Sequence, residues 1–219
     1  MPIGWHVALF RAWRWSPAYL PTARGTAGPH GVAWSDPVLS KRLLPLQKPV
    51  ALFSSGSVRR VDRMAVEAEI GRLLVERGWH LAVAETSTGG FIGYLLTSVP
   101  GSSSYFDRSI VAYSNEAKET SLAVPPPVLQ HHGAVSLVTA LAMATHVQEL
   151  SHVEVGLAVT GLTGPRIGRS SKPIGLTYIA IALPWVNIWW EGVIPGERTE
   201  IQRQSALKSL EILRDVLHR

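Results

Sequence analysis

Hydrophobic positions are regularly spaced only from Arg63 onward. Val66, Ile70, Leu73 and Leu74 recur at three- and four-residue intervals. That spacing predicts a helix, with Gly78 as a suitable stop. The apolar run at 81–84 suits a strand buried on both faces. Glu85-Thr86-Ser87-Thr88-Gly89-Gly90 reads as a turn into a second helix over about 89–98. Residues 99–104 form a loop by composition, and 110–113 a strand. Ser114 or Asn115 caps a helix reaching Leu122, three prolines at 125–127 break the chain, and Ser136 caps a longer helix to about residue 150. Strands are predicted over about 153–160, 174–183 and 187–194, with a glycine-containing loop between the first two. A last helix begins near Glu197 and aligns Ala206, Leu210, Leu213 and Leu217 on one face. Alternating elements followed by adjacent strands predict an α/β fold with a mixed sheet and helices packed on it.

Residues 1–61 show neither helical nor strand periodicity and hold four of the eight Trp. They read as an irregular N-terminal extension ahead of a domain at 62–219. Charge separates the same two regions. Residues 1–63 carry nine Lys/Arg and two acids, net +7, whereas 64–219 carry twelve and fourteen, net −2. The overall +5 therefore belongs to the extension. Arg-rich and acid-poor, the extension reads as a processing segment, as disordered chain, or as sequence upstream of a true start at Met64. The mildly acidic remainder gives no case for nucleic acid. The longest uncharged apolar stretch, 174–190, is interrupted by Pro184 and Asn187 and reads as two strands rather than a membrane span. Cysteine is absent, which excludes disulfides and Cys-ligated metal and fits a cytoplasmic location.

Four segments could carry chemistry. The 85–90 turn combines hydroxyls and glycines at a strand-to-helix junction. It suits either an anion or an ordinary helix cap. Ser102, Ser103 and Ser104 lie in a loop that could hold a nucleophile or be a plain turn. Lys118 sits about one turn into its helix, where it is either a desolvated base or a solvated surface lysine. Thr160-Gly161-Leu162-Thr163-Gly164 follows a buried strand, and its glycines permit close approach of a ligand or simply a tight loop. His131 and His132 lack a carboxylate at metal-ligand spacing and are read as surface residues, so no metal is expected.

In this order the blocks AETSTGGFIGYLLTSVPGSSSYF, VAYSNEAK, LQHHGAVS, AVTGLTGP and KPIGLTYIA resemble the C-terminal domain of the CinA competence/damage-inducible family, also found alone as nicotinamide-nucleotide amidase. The resemblance covers about residues 64–218, nearly all of the ordered pattern. It implies a three-layer α/β/α sandwich and hydrolysis of the carboxamide of nicotinamide mononucleotide to nicotinic acid mononucleotide and ammonia. It also implies no cofactor, a small-molecule nucleotide as partner, and self-association into a homo-oligomer. On the family's pattern Ser103 matches the nucleophile, Lys118 the base and Tyr113 a supporting hydroxyl that relays the proton. Thr86, Gly89, Gly90, Thr160 and Gly161 fall in the substrate-binding segments, and Arg198 lies where an arginine could meet the phosphate. Two departures stand out. The family's usual E-S-C-T-G-G reads Glu85-Thr86-Ser87-Thr88-Gly89-Gly90 here, and the glycine-rich stretch after the family's G-I-A-G-P is replaced by Arg166-Ile167-Gly168-Arg169. These departures motivate an alternative, a catalytically degenerate nucleotide-binding or competence-related module.

Overall fold

The computed structural model describes residues 6–8, 65–165 and 171–219. The elements are β1 (His6–Ala8), α1 (Val66–Arg77), β2 (Leu81–Glu85), α2 (Phe91–Thr97), a 3-10 turn (Ser102–Ser104), β3 (Phe106–Val111), α3 (Asn115–Leu122), α4 (Pro126–His132), α5 (Leu137–Ser151), β4 (Val155–Gly161), β5 (Leu176–Ala182), β6 (Asn187–Val193) and α6 (Arg198–Leu217). One mixed sheet runs in the order β1-β6-β5-β4-β2-β3. β2, β3 and β4 are parallel, whereas β5, β6 and β1 join antiparallel.

The central strands alternate large and small apolar residues, and this alternation sets the three layers. Leu81, Val83, Val155, Leu157, Val159, Ile179 and Ile181 pack under α1, α2 and α6. Ala82, Ala84, Ala158, Ala180 and Ala182 face Leu122, Leu129, Met143, Ala144 and Val147 of α3, α4 and α5. The small face lets α5 approach closely. A Cβ on Gly156 would lie 2.1 Å from the Ala144 carbonyl oxygen, so only glycine fits there. The large face supplies most of the apolar burial, at roughly 1.5–3 kcal/mol for each fully buried Leu, Ile or Val.

Several expectations are corrected. β3 begins at Phe106 and ends at Val111, not at 110–113. It is an edge strand whose Asp107 and Arg108 are exposed, so polar residues masked its start. The proline run opens α4 rather than only breaking the chain. Proline suits the first helical turn, where its missing N–H has no helical partner to lose. The helix expected from residue 89 starts at Phe91, because Gly89 and Gly90 adopt φ of 64° and 97°. The extension, left out of the fold on sequence grounds, contributes β1, which pairs with β6 through Val7 and Ile188. The rest of the 1–61 reading, and Arg166 and Arg169, lie outside the described residues. Among the described residues no helix is long and apolar enough to cross a membrane.

Candidate active site

Polar residues gather at the carboxyl edge of β2, β3 and β4, the edge where open α/β sheets bind ligands. The 85–90 turn leaves β2, Tyr113 follows β3, and Thr160 and Gly161 end β4. Arg198 opens α6 beside them and donates to Thr163 Oγ1 at 3.0 Å, to the Gly164 carbonyl, and to the Tyr113 hydroxyl at 2.7 Å. Four residues on, Gln202 Nε2 donates to the Ser87 carbonyl at 3.0 Å.

Glu85 organises this edge. It is fully buried. Its Oε2 accepts from Thr88 Oγ1 at 2.7 Å, Gly90 N at 3.0 Å and Ile92 N at 3.1 Å, and its Oε1 from Gly93 N at 2.9 Å and Ser109 Oγ at 2.7 Å. The first N–H groups of α2 thus already face a carboxylate, which satisfies both their hydrogen-bonding need and the helix dipole. An anionic ligand at Gly89 and Gly90 would meet this charge, so the expected anion site at the 85–90 turn is replaced by an internal ion. Gly161 is likewise explained by packing. A Cβ there would sit 2.8 Å from the Leu176 carbonyl oxygen and 3.0 Å from Thr177 Oγ1.

Lys118 is 2% exposed. Its Nζ donates to the carbonyls of Tyr113 at 3.3 Å and Ser114 at 3.2 Å, and among the described residues no carboxylate pairs with it. Burial pushes its pKa below the ordinary lysine value, because desolvation penalises the ammonium form. Carbonyl contacts hold the amine in place without the strong opposing charge that would keep it protonated.

Register fixes the backbone setting of the Tyr113 carbonyl. Glu85 pairs with Val111 on one side and Val159 on the other. Thr86 is therefore flanked by Ala112 and Thr160, and Ala112 directly precedes the Tyr113 carbonyl that holds Lys118. By strand alternation Thr86 continues the Ala82 and Ala84 face, the face covered by α3, which bears Lys118. Thr86 is buried, and its Oγ1 donates to the Val159 carbonyl at 3.2 Å. Thr160 Oγ1 donates to the Ala134 carbonyl at 2.8 Å, and Lys172 Nζ donates to the adjacent Val135 carbonyl.

Ser103 is elsewhere. It lies in the 3-10 turn before β3, and the Tyr105 carbonyl accepts from Leu81 N at the start of β2. Lys118 follows the other end of β3, a strand spanning about 17 Å at roughly 3.3 Å per residue. Within one chain the expected Ser103–Lys118 pair is therefore not formed. Nor does the Tyr113 hydroxyl lie between them. Arg198 engages it, while Lys118 meets the Tyr113 backbone. The sequence reading placed Glu85 and Thr163 within candidate segments but gave them no role of their own, and it singled out neither Lys172 nor Gln202. An acid five residues before a Gly-Gly helix start was the available signal for Glu85, and Gln202 stands one turn after Arg198.

Helices on both faces of a mixed sheet, with a desolvated lysine near its carboxyl edge, define an α/β sandwich domain with a candidate ligand site of the open-sheet type. The chain belongs to the CinA C-terminal domain family, whose model matches residues 63–217. It is 37% identical over 174 residues to a putative competence-damage inducible protein of Acetivibrio thermocellus, covering 80% of this chain and 42% of that protein. It is 43% identical over 187 residues to a CinA-like protein of Desulfotalea psychrophila, covering 84% and 45%. The chain thus spans less than half the length of these curated relatives. Among solved structures, the competence/damage inducible protein of Agrobacterium tumefaciens matches with TM-score 0.63 and 36% identity over 70% of this chain and 96% of that one. A competence damage-inducible protein of Klebsiella pneumoniae matches with TM-score 0.68 and 27% identity over the same shares.

Proposed function

We propose that the chain hydrolyses the carboxamide of nicotinamide mononucleotide, releasing ammonia and nicotinic acid mononucleotide. The observation that carries this reading is the buried Lys118 amine, held by carbonyls alone. An amide is a poor electrophile and needs an activated nucleophile and a stabilised oxyanion. Lys118 is the base and Thr86 Oγ1 the nucleophile, in place of Ser103. The hydroxyl oxygen attacks the carbonyl carbon as its proton passes to Lys118. The carbon–nitrogen bond then breaks, and ammonia departs with that proton. Water cleaves the resulting ester, Lys118 taking the water's proton and returning one to Thr86. The backbone N–H groups of Ser87 and Thr88 are the donors for the tetrahedral oxygen, since that of Thr86 is bonded to the Val159 carbonyl. Arg198 and Lys172 are the cations assigned to the phosphate, because the helix start near Gly90 already faces Glu85.

The test is ammonia release from nicotinamide mononucleotide by the purified full chain. Lys118→Met and Thr86→Ala should each lose at least about a hundredfold in kcat, the usual contribution of a general base or nucleophile. Ser103→Ala should retain turnover. No release by folded protein would reject the reading, and loss of activity in Ser103→Ala would restore that serine as nucleophile. A second reading is favoured by Thr86 itself, whose hydroxyl is committed to the Val159 carbonyl and whose χ1 is restricted. A domain that binds the nucleotide without turning it over would show calorimetric binding and no ammonia.

A further inference from the structure

Tyr113 combines two properties that rarely occur together. Its side chain is 61% exposed, yet it is held at both ends. Arg198 Nη2 donates to the hydroxyl at 2.7 Å, and Lys118 Nζ donates to the residue's own carbonyl at 3.3 Å. Arg198 is itself fixed by Thr163 and the Gly164 carbonyl, so the tether reaches from the start of α6 over the β4–β5 loop to the second residue beyond β3. An exposed ring normally keeps its rotamer freedom. Here that freedom is already spent before any ligand arrives, which reduces the entropic cost of stacking on it. By strand alternation Tyr113 lies on the same side as Val111 and Ser109, the side of α2 and α6. Its backbone carbonyl adjoins the amine assigned as base.

We propose that Tyr113 is a stacking platform for the cationic pyridinium ring of the substrate, with Arg198 as the positioning residue that holds the platform still. This rests on the amidase reading and gives Tyr113 a different role from proton relay. A flat aromatic cation suits the face of a phenol ring, whose quadrupole attracts positive charge. Stacked there, the ring would lie over the carboxyl edge of the sheet with its ribose phosphate toward Arg198, and its carboxamide would cross that edge to reach Lys118 and Thr86 on the α3 side.

The experiment uses the full chain with nicotinamide mononucleotide and its neutral dihydropyridine form. Equilibrium binding is measured by calorimetry in the Lys118→Met background, and kcat and KM in the otherwise unaltered chain. Tyr113→Leu removes the aromatic face and should weaken binding of the pyridinium form about three- to thirtyfold and raise KM in parallel. The neutral form should bind the unaltered platform more weakly, and Tyr113→Leu should change its binding much less. Tyr113→Phe keeps the ring and loses the tether, so KM should rise about two- to threefold while kcat holds, the size of one modest hydrogen bond. Thermal melting checks that both variants fold, as an exposed side chain should allow. Equal binding by Tyr113→Leu and the parent would overturn the platform. So would a collapse of kcat in Tyr113→Phe at unchanged affinity, which marks a hydroxyl relay. If the parent neither binds nor hydrolyses the mononucleotide, the amidase reading fails and the platform with it. Turnover by the parent with an indifferent Tyr113→Leu sinks the platform alone.

Discussion

Replacing Glu85 with glutamine tests whether an internal carboxylate, rather than a ligand, holds the turn after β2. The side chain keeps its size and loses one acceptor oxygen and its charge. Five donors now converge on it: Thr88, Gly90 and Ile92 on Oε2, Gly93 and Ser109 on Oε1. The amide nitrogen of glutamine fits best at the Oε1 position, because the Ser109 hydroxyl can turn and accept from it. Gly93 N then faces another donor and is left unsatisfied in a buried site, at about 1–3 kcal/mol. The three remaining bonds lose their ionic partner, and charge-assisted bonds are about twice as strong as neutral ones, so roughly another 1–2 kcal/mol is lost. The total is about 2–5 kcal/mol. For a domain of this size that lowers Tm by about 5–15 °C. Urea unfolding of the full chain, read against Glu85→Asp as a charged but shorter control, gives the value directly. A loss under about 1 kcal/mol would refute the reasoning. It would mean that solvent or a bound anion already satisfies the start of α2.

The remaining predictions concern the lysine, the threonine and a buried histidine. If Lys118 is the base, kcat/KM should rise with pH and level off at an apparent pKa below the ordinary lysine value, since burial disfavours the ammonium form. A flat profile, or one unchanged in Lys118→Met, would contradict this. Thr86→Ser removes the methyl that restricts χ1 and should raise kcat several-fold, about the effect of freeing one rotamer, whereas a fall would argue against attack by this hydroxyl. His146 has a buried Nδ1 without a hydrogen-bond partner, and burial lowers its pKa although a bond to the Leu122 carbonyl partly opposes this. The unfolded chain therefore takes up its proton first. The stabilisation is complete above about pH 6.5 and is lost as pH falls toward the lower folded value. Tm measured between pH 7.5 and 5 should decline less steeply in His146→Gln, and identical slopes would exclude the residue.

Much of the architecture is legible along the chain because it rests on local chemistry. Gly78 ends α1 in the left-handed conformation, and the hydroxyls of Ser114 and Ser136 cap α3 and α5 by accepting from Ala117 N and Thr139 N. Size alternation within the buried strands also tells which helices lie on which face, once Leu81 and Val83 are read apart from Ala82 and Ala84. The start of β3 is less legible because an edge strand can be polar on its exposed positions, and β1 is hidden because three residues are too few to show a period.

The candidate site is harder to read for a different reason. The family's pattern paired Ser103 with Lys118, yet β3 runs between them and carries them to opposite ends of that strand. Parallel strands have this consequence generally. Residues that follow different strands meet, whereas residues that bracket one strand are separated by its length. Thr86, Tyr113 and Thr160 each follow or end a parallel strand, and Arg198 reaches the same edge from the helix after an antiparallel one. The 85–90 turn misleads in a related way. Its glycines and hydroxyls have the composition of an anion-binding loop, but the anion is already present as the residue that begins it. A carboxylate at the last position of the strand, able to reach the first N–H groups of the helix, separates a self-satisfied turn from one that awaits a phosphate.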